Sequence, residues 1–219
     1  MTKIIMDEMK KTRGALRSML NEVQEACRLT IRIVNGEGDS AALLERVLKL
    51  EEKSDKEMVR ITEELSEIVG KLFLAGLLKR AVVCDAVVAN DTEAMLDILQ
   101  HAGENWQKIM DSDSKSVTDE VRILLDSMLQ NCIVMLEKAI DILDGKDISN
   151  HTLKFIEELD RNINQANITA HEALLSDQND KRTIIRLIRV VKHIENLGDK
   201  IKSVASYLLY IRTGEFIKV

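Results

Sequence analysis

A chain of 219 residues, 45% of them apolar, can form one large or two small domains around a sizeable core. Aromatics make up only 3% and proline is absent, so the core must be aliphatic and no pyrrolidine ring breaks a helix. Net charge is −6, from 31 basic and 37 acidic residues, which argues against a nucleic-acid partner.

Charged residues reach 31% and are rich in Glu and Lys, both good helix formers, so the composition predicts an all-α protein of long helices. No stretch approaches the roughly 20 apolar residues of a membrane span. The N-terminal MTKIIMDEMKKTRG lacks the apolar region of a signal peptide. Cys27, Cys84 and Cys132 are far apart in sequence and read as small buried hydrophobes of a reducing compartment. The expected location is cytoplasmic.

Six apolar seams with alternating three- and four-residue steps run along the chain. The first is Ile5, Met9, Leu16, Met19, Val23, Ala26, Thr30 and Ile33. It ends at Asn35-Gly36-Glu37-Gly38-Asp39-Ser40, where glycine stops a helix and Asp or Ser caps the next. The second contains Val47, Glu51, Ser54, Met58, Ile61 and Leu65, and the third contains Thr92, Leu99 and Trp106. No polar breaker separates these two, so their turn is placed only between Gly70 and Lys79.

The fourth seam, Leu125, Met128, Cys132, Met135, Ala139 and Ile142, is the first again: adding 109 turns Leu16 into Leu125 and Ile33 into Ile142. The fifth, Ile156, Asp160, Ile163, Asn167, Ala170 and Leu174, keeps that offset from the second. Between the third and the sixth the offset falls to 102, so Thr92, Leu99 and Trp106 match Ile194, Ile201 and Leu208. The first half therefore carries seven more residues between its second and third helices, the difference of the two offsets. Such duplication predicts two tandem three-helix bundles, residues 1–111 and 116–219, joined at the polar stretch Asp111 to Ser116. The helices should run to about 25 to 35 residues each, or roughly 40–50 Å at a rise of 1.5 Å per residue.

Acids fall on or beside these seams. Glu93 and Asp97 share one helix face, as do Glu195 and Asp199, because residues four apart stack along a helix. Glu51 and its repeat partner Asp160 lie in the apolar seam itself, with Asp55 and Asn164 four residues on. A carboxylate removed from water costs several kcal/mol unless its hydration is replaced. The positions nearest these acids in sequence are mostly acidic or apolar, so a cation with a taste for oxygen, such as iron, manganese, magnesium or calcium, would satisfy them. His101 and His193 would add nitrogen ligands. His151 and His171 read as ordinary surface or interhelix residues, and the basic run Arg182, Arg186, Arg189 and Lys192 as a solvated face. No Gly-rich phosphate loop, nucleophile elbow or HExxH motif appears, and no enzyme is expected.

At His193-Ile-Glu195-Asn-Leu-Gly198-Asp199-Lys-Ile-Lys-Ser-Val-Ala205, continuing to Tyr210-Ile-Arg-Thr-Gly214-Glu215, the sequence resembles the PhoU family of phosphate-signalling regulators. That family's third helices carry a Leu-Glu-Arg-Ile-Gly-Asp-His type motif, and the tandem three-helix organisation is shared. The first-repeat segment Asn90 to Asp97 is a looser match, with Leu96 where the family has glycine. The resemblance implies metal clusters, of iron or zinc, held by Glu51, Asp55, Glu93 and Asp97 in the first repeat. In the second it implies Asp160, Glu195 and Asp199, with Asn164 where the family has an acid. Lys200 replaces the family's histidine, and its ammonium would oppose a cation at the second site. The implied role is negative regulation of phosphate uptake and signalling, through a phosphate transporter component and a sensor histidine kinase at the membrane face. A homodimer is compatible with it. The rival readings are a metal-free helical adaptor and a metal-dependent hydrolase or oxidase.

Overall fold

The structure, a computed structural model, describes residues 2–70, 76–112, 117–146, 149–175 and 180–214. Among the described residues six helices follow in order: α1 Thr2–Asn35, α2 Ser40–Gly70, α3 Gly76–Met110, α4 Asp119–Asp144, α5 Asn150–Leu175 and α6 Lys181–Thr213. Their lengths, 26 to 35 residues, match the sequence expectation. Residues 71–75, where α2 turns into α3, and residues 113–116 of the joining stretch lie outside the described residues.

The helix ends are set by local chemistry. Asp39 accepts the amides of Ala41 and Ala42 at 3.0 and 3.3 Å at the start of α2. Asp180 does the same for α6, accepting from Arg182 and Thr183, and Thr118 accepts from Val121 for α4. Side-chain oxygens thus satisfy amides that have no partner inside the helix. The helix α4 stops at Gly145, whose φ of 74° is the left-handed conformation that glycine adopts without steric cost.

The helices α1, α3, α4 and α6 pack as a ring, in which α1 meets α4 and α3 meets α6. The helix α2 lies outside against α1 and α3, and α5 outside against α4 and α6. Each repeat is a three-helix unit, and one continuous aliphatic core runs through both. The reason is the width of the inner stripes. Leu125, Met128, Leu129, Cys132, Ile133, Met135 and Leu136 of α4 are all buried, too broad a face for two neighbours alone.

A pseudo-twofold axis relates the repeats. Gln24 donates from Nε2 to the carbonyl of Ile133 at 3.2 Å, and residue 133 is residue 24 plus the offset of 109. Arg17 lies 3.4 Å from Asp144, and the image of that contact joins Asn35 to Asp126 at 3.3 Å. The His101 and His193 rings meet at 5.9 Å across α3 and α6, and their images, Ser203 and Asp91, are bonded at 3.4 Å.

In the first repeat α2 runs four residues past Ser66, the counterpart of Leu175 at the end of α5, and α3 begins three residues before Lys79, the counterpart of Lys181 at the start of α6. The cysteines are buried, and burial pushes the Cys27 thiol up to about 12, so it is an inert core group.

Candidate acidic sites

In the first repeat, antiparallel α2 and α3 bring Glu51, Asp55, Glu93 and Asp97 into one neighbourhood. Partial burial raises the pKa of Glu51, and the charges of Asp97 and Asp55 raise it further. Glu93 is raised in the same way, by burial first and then by Asp97, Asp55 and Glu51. Four carboxylates that feel one another in this manner are a concentration of negative charge short of counter-ions. The compensation is partial. His101 Nε2 sits 3.3 Å from Asp97, one helical turn on, and Lys200 lowers the pKa of Glu93 across the α3/α6 contact.

The second repeat differs. Asp160 is 4% exposed, and its Oδ2 receives the Lys202 ammonium at 2.7 Å. Burial opposes the charge on Lys202, but the hydrogen bond and charge of Asp160 outweigh it and hold the ammonium above its usual range. Lys202 also stands 3.5 Å from the exposed Asp199. Asn164 points its amide at the same Asp160 oxygen, at 3.5 Å, while Glu195 pairs with Lys192 on its own helix. Asp160 Oδ1 accepts no hydrogen bond in the structure.

Two expectations need correction. The positions nearest the acids in sequence read as mostly acidic or apolar, yet Lys202 occupies the heart of the second set. Lys200, expected to oppose a cation there, instead reaches α3 and pairs with Asp91 at 2.6 Å. A signal for Lys202 was present, since it lies three residues after Asp199 and seven after Glu195 on one helical face. The sequence does not single out the buried acids Asp91 and Asp85, because neither carries a repeated acidic spacing. Among the described residues, no three His, Cys, Asp or Glu side chains converge closely enough to hold a metal ion as they stand. Burial, reinforced by His101, lowers the pKa of His193, keeping a neutral imidazole beside the first set. His151, Arg182, Arg189 and Lys192 are exposed, whereas Arg186 donates to the Lys108 carbonyl at the end of α3 at 2.8 Å.

The fold and the paired acid sets define a class, that of all-α proteins built from two three-helix repeats with carboxylates gathered on the outer and inner helices. Residues 125–208 match the family model of the PhoU domain. The crystal structure of PhoU from Pseudomonas aeruginosa superposes with a TM-score of 0.84 at 16% identity, covering 95% of this chain and 99% of that one. The phosphate transport system regulatory protein PhoU from Streptococcus pneumoniae gives 0.81 at 13% identity, covering 98% and 100%. No curated protein sequence matches the chain. The chain resembles the PhoU family, in sequence over residues 125–208 and in fold over nearly its whole length.

Proposed function

We propose that this protein regulates phosphate uptake and phosphate signalling without catalysing a reaction. It does so from the cytoplasm, by contact with a phosphate transporter component, a sensor histidine kinase, or both. The observation that carries this reading is the PhoU domain match at residues 125–208, together with a fold likeness that spans both repeats. No described helix is long and apolar enough to cross a membrane, which suits a partner that approaches membrane proteins from outside the bilayer. Affinity capture with transporter and kinase components tests the proposal: retention of either supports it, and failure to retain both overturns it.

Within this reading, the first-repeat acids Glu51, Asp55, Glu93 and Asp97 bind a metal ion such as iron, zinc, manganese or magnesium. The donor chemistry suits a cation, since Glu51 and Glu93 have raised pKa values beside two further carboxylates. The side chains would have to close on the ion, because no three of them converge as they stand. The bound ion would supply the positive charge that holds α2 and α3 together at this point. At the second repeat the Lys202 ammonium already supplies that charge to Asp160, which favours a metal-free second set. Metal analysis of the purified protein beside a Glu93→Ala/Asp97→Ala variant checks the assignment, and equal metal content in the two would remove it.

A further inference from the structure

A cleft far from the acid sets opens between the start of α1, the start of α3 and the ends of α4 and α6. Its volume is about 800 Å³, inside the roughly 300–1,000 Å³ of small-molecule sites. Lys10, Arg13 and Arg17 line it from α1, at spacings that share one helical face, and Arg212 faces them from α6. Met6, Met9, Leu78, Ala81, Leu143 and Ile211 form its apolar part, and Asp7 and Asp144 are the acids among its lining residues.

The cleft sits where helices of the first repeat start early: α1 begins eight residues before Lys10, whose image, Asp119, is the first residue of α4. Leu78 belongs to the three-residue extension of α3. At the opposite end of the molecule, Arg122, the image of Arg13, lies 5.2 Å over the ring of the buried Trp106.

The arginines hold the walls in place with donors to spare. Arg13 directs Nε to the buried Asp85 at 3.4 Å, Arg17 approaches Asp144 at 3.4 Å, and Arg212 donates to the Leu143 carbonyl at 2.7 Å. A guanidinium has five N–H donors in a fork suited to carboxylate and phosphate. Gly14 also lines the cleft, in the interior of α1, where glycine weakens a helix. Close packing does not require it, since a Cβ there would meet nothing within 4 Å. Its missing side chain leaves the space beside Arg13 and Arg17 open.

We propose that this cleft binds an amphipathic anion, a phosphate or carboxylate head on an aliphatic body, with the arginines taking the head and the Met, Leu and Ile side chains the body. None of the described lining residues is aromatic, so among them a planar base finds no ring to stack on. The proposal is independent of the acid sets and of the regulatory reading.

Calorimetric titration with octyl phosphate, inorganic phosphate and octanol tests it on the full chain. Octyl phosphate should bind at least tenfold more tightly than either half of its structure. Equal binding of inorganic phosphate, or no binding of octyl phosphate, would overturn the proposal. Gly14→Glu places a carboxylate in the cleft while improving the helix, and should weaken octyl phosphate by about tenfold with no loss of thermal stability. Gly14→Lys should leave binding intact or tighten it. If the two variants behave alike, the charge argument fails. Co-sedimentation with phosphatidic acid vesicles separates the sources. Capture that Gly14→Glu abolishes assigns the head group to a lipid, and retained octyl phosphate binding without capture assigns it to a free ligand.

Discussion

The two acid sets occupy equivalent places on equivalent helices, yet they meet the problem of buried negative charge in different ways. In the second repeat Lys202 fills the gap between Asp160 and Asp199. Its counterpart in the first repeat, two residues short of Ala102, is Gln100, whose amide turns to Glu104 at 3.1 Å. The helix spacing differs as well. A Cβ on Gly198 would lie 3.0 Å from Ile163 Cδ1, so α5 and α6 approach closely beside Asp160. Leu96 stands at the corresponding point of α3, and the tight approach of α2 and α3 moves to Gly103, where a Cβ would lie 2.7 Å from Leu44. Duplication therefore conserves the scaffold while a few side chains decide whether the acids are neutralised from within.

The strongest way to break this contrast is to remove the internal cation. Lys202→Ala leaves the 4%-exposed Asp160 without its cationic partner and should cost about 3 kcal/mol in chemical denaturation. A loss below about 1 kcal/mol would mean that Asp160 is hydrated and that the second set resembles the first. Next in size is the response to metal. Manganese or zinc at a hundred times its dissociation constant should stabilise the protein by about 2.7 kcal/mol. Calorimetric melting with and without a chelator reads this, and identical curves would place the first set among solvated acids.

Gln100→Lys transplants the second repeat's solution into the first. It should raise stability in chelator by about 0.5–1 kcal/mol and abolish the metal response. Retention of the metal shift in this variant would show that the ion sits elsewhere. The smallest effect is expected from Glu51→Gln, a gain of about 0.5 kcal/mol at neutral pH in chelator. The folded pKa of Glu51 lies above its ordinary 4.5. Its contribution to stability is therefore fully present below that value and is lost as pH rises through the higher folded value. The variant should flatten the stability profile over that interval, and a parallel profile would refute the burial and repulsion assigned to Glu51.

Much of the scaffold was legible because helical periodicity is a local property. Every apolar member of the first and fourth seams is buried, and the glycine turns after α1 and α4 fall where the motifs placed them. Glu51 and Asp160 were found for the same reason, as acids interrupting an apolar stripe. Lys202 was missed although its spacing from Glu195 was visible, because a lysine near a helix face gives no sign of whether its flexible stem turns toward solvent or toward a neighbouring helix. The ion pair of Asp91 with Lys200 joins residues 109 positions apart, so nothing local announced it.

The chain by itself determined six amphipathic helices, their caps, the duplication and the set of acids, since these follow from patterns within a turn or two of helix. Tertiary structure decided which charges meet. The packing of α3 against α6 sent Lys200 to the first repeat, and the close approach of α5 and α6 at Gly198 brought Asp160 within reach of Lys202. It also decided that the first turns of α1 and α3 would wall a cationic cleft, because only packing fixes what stands opposite a helix end.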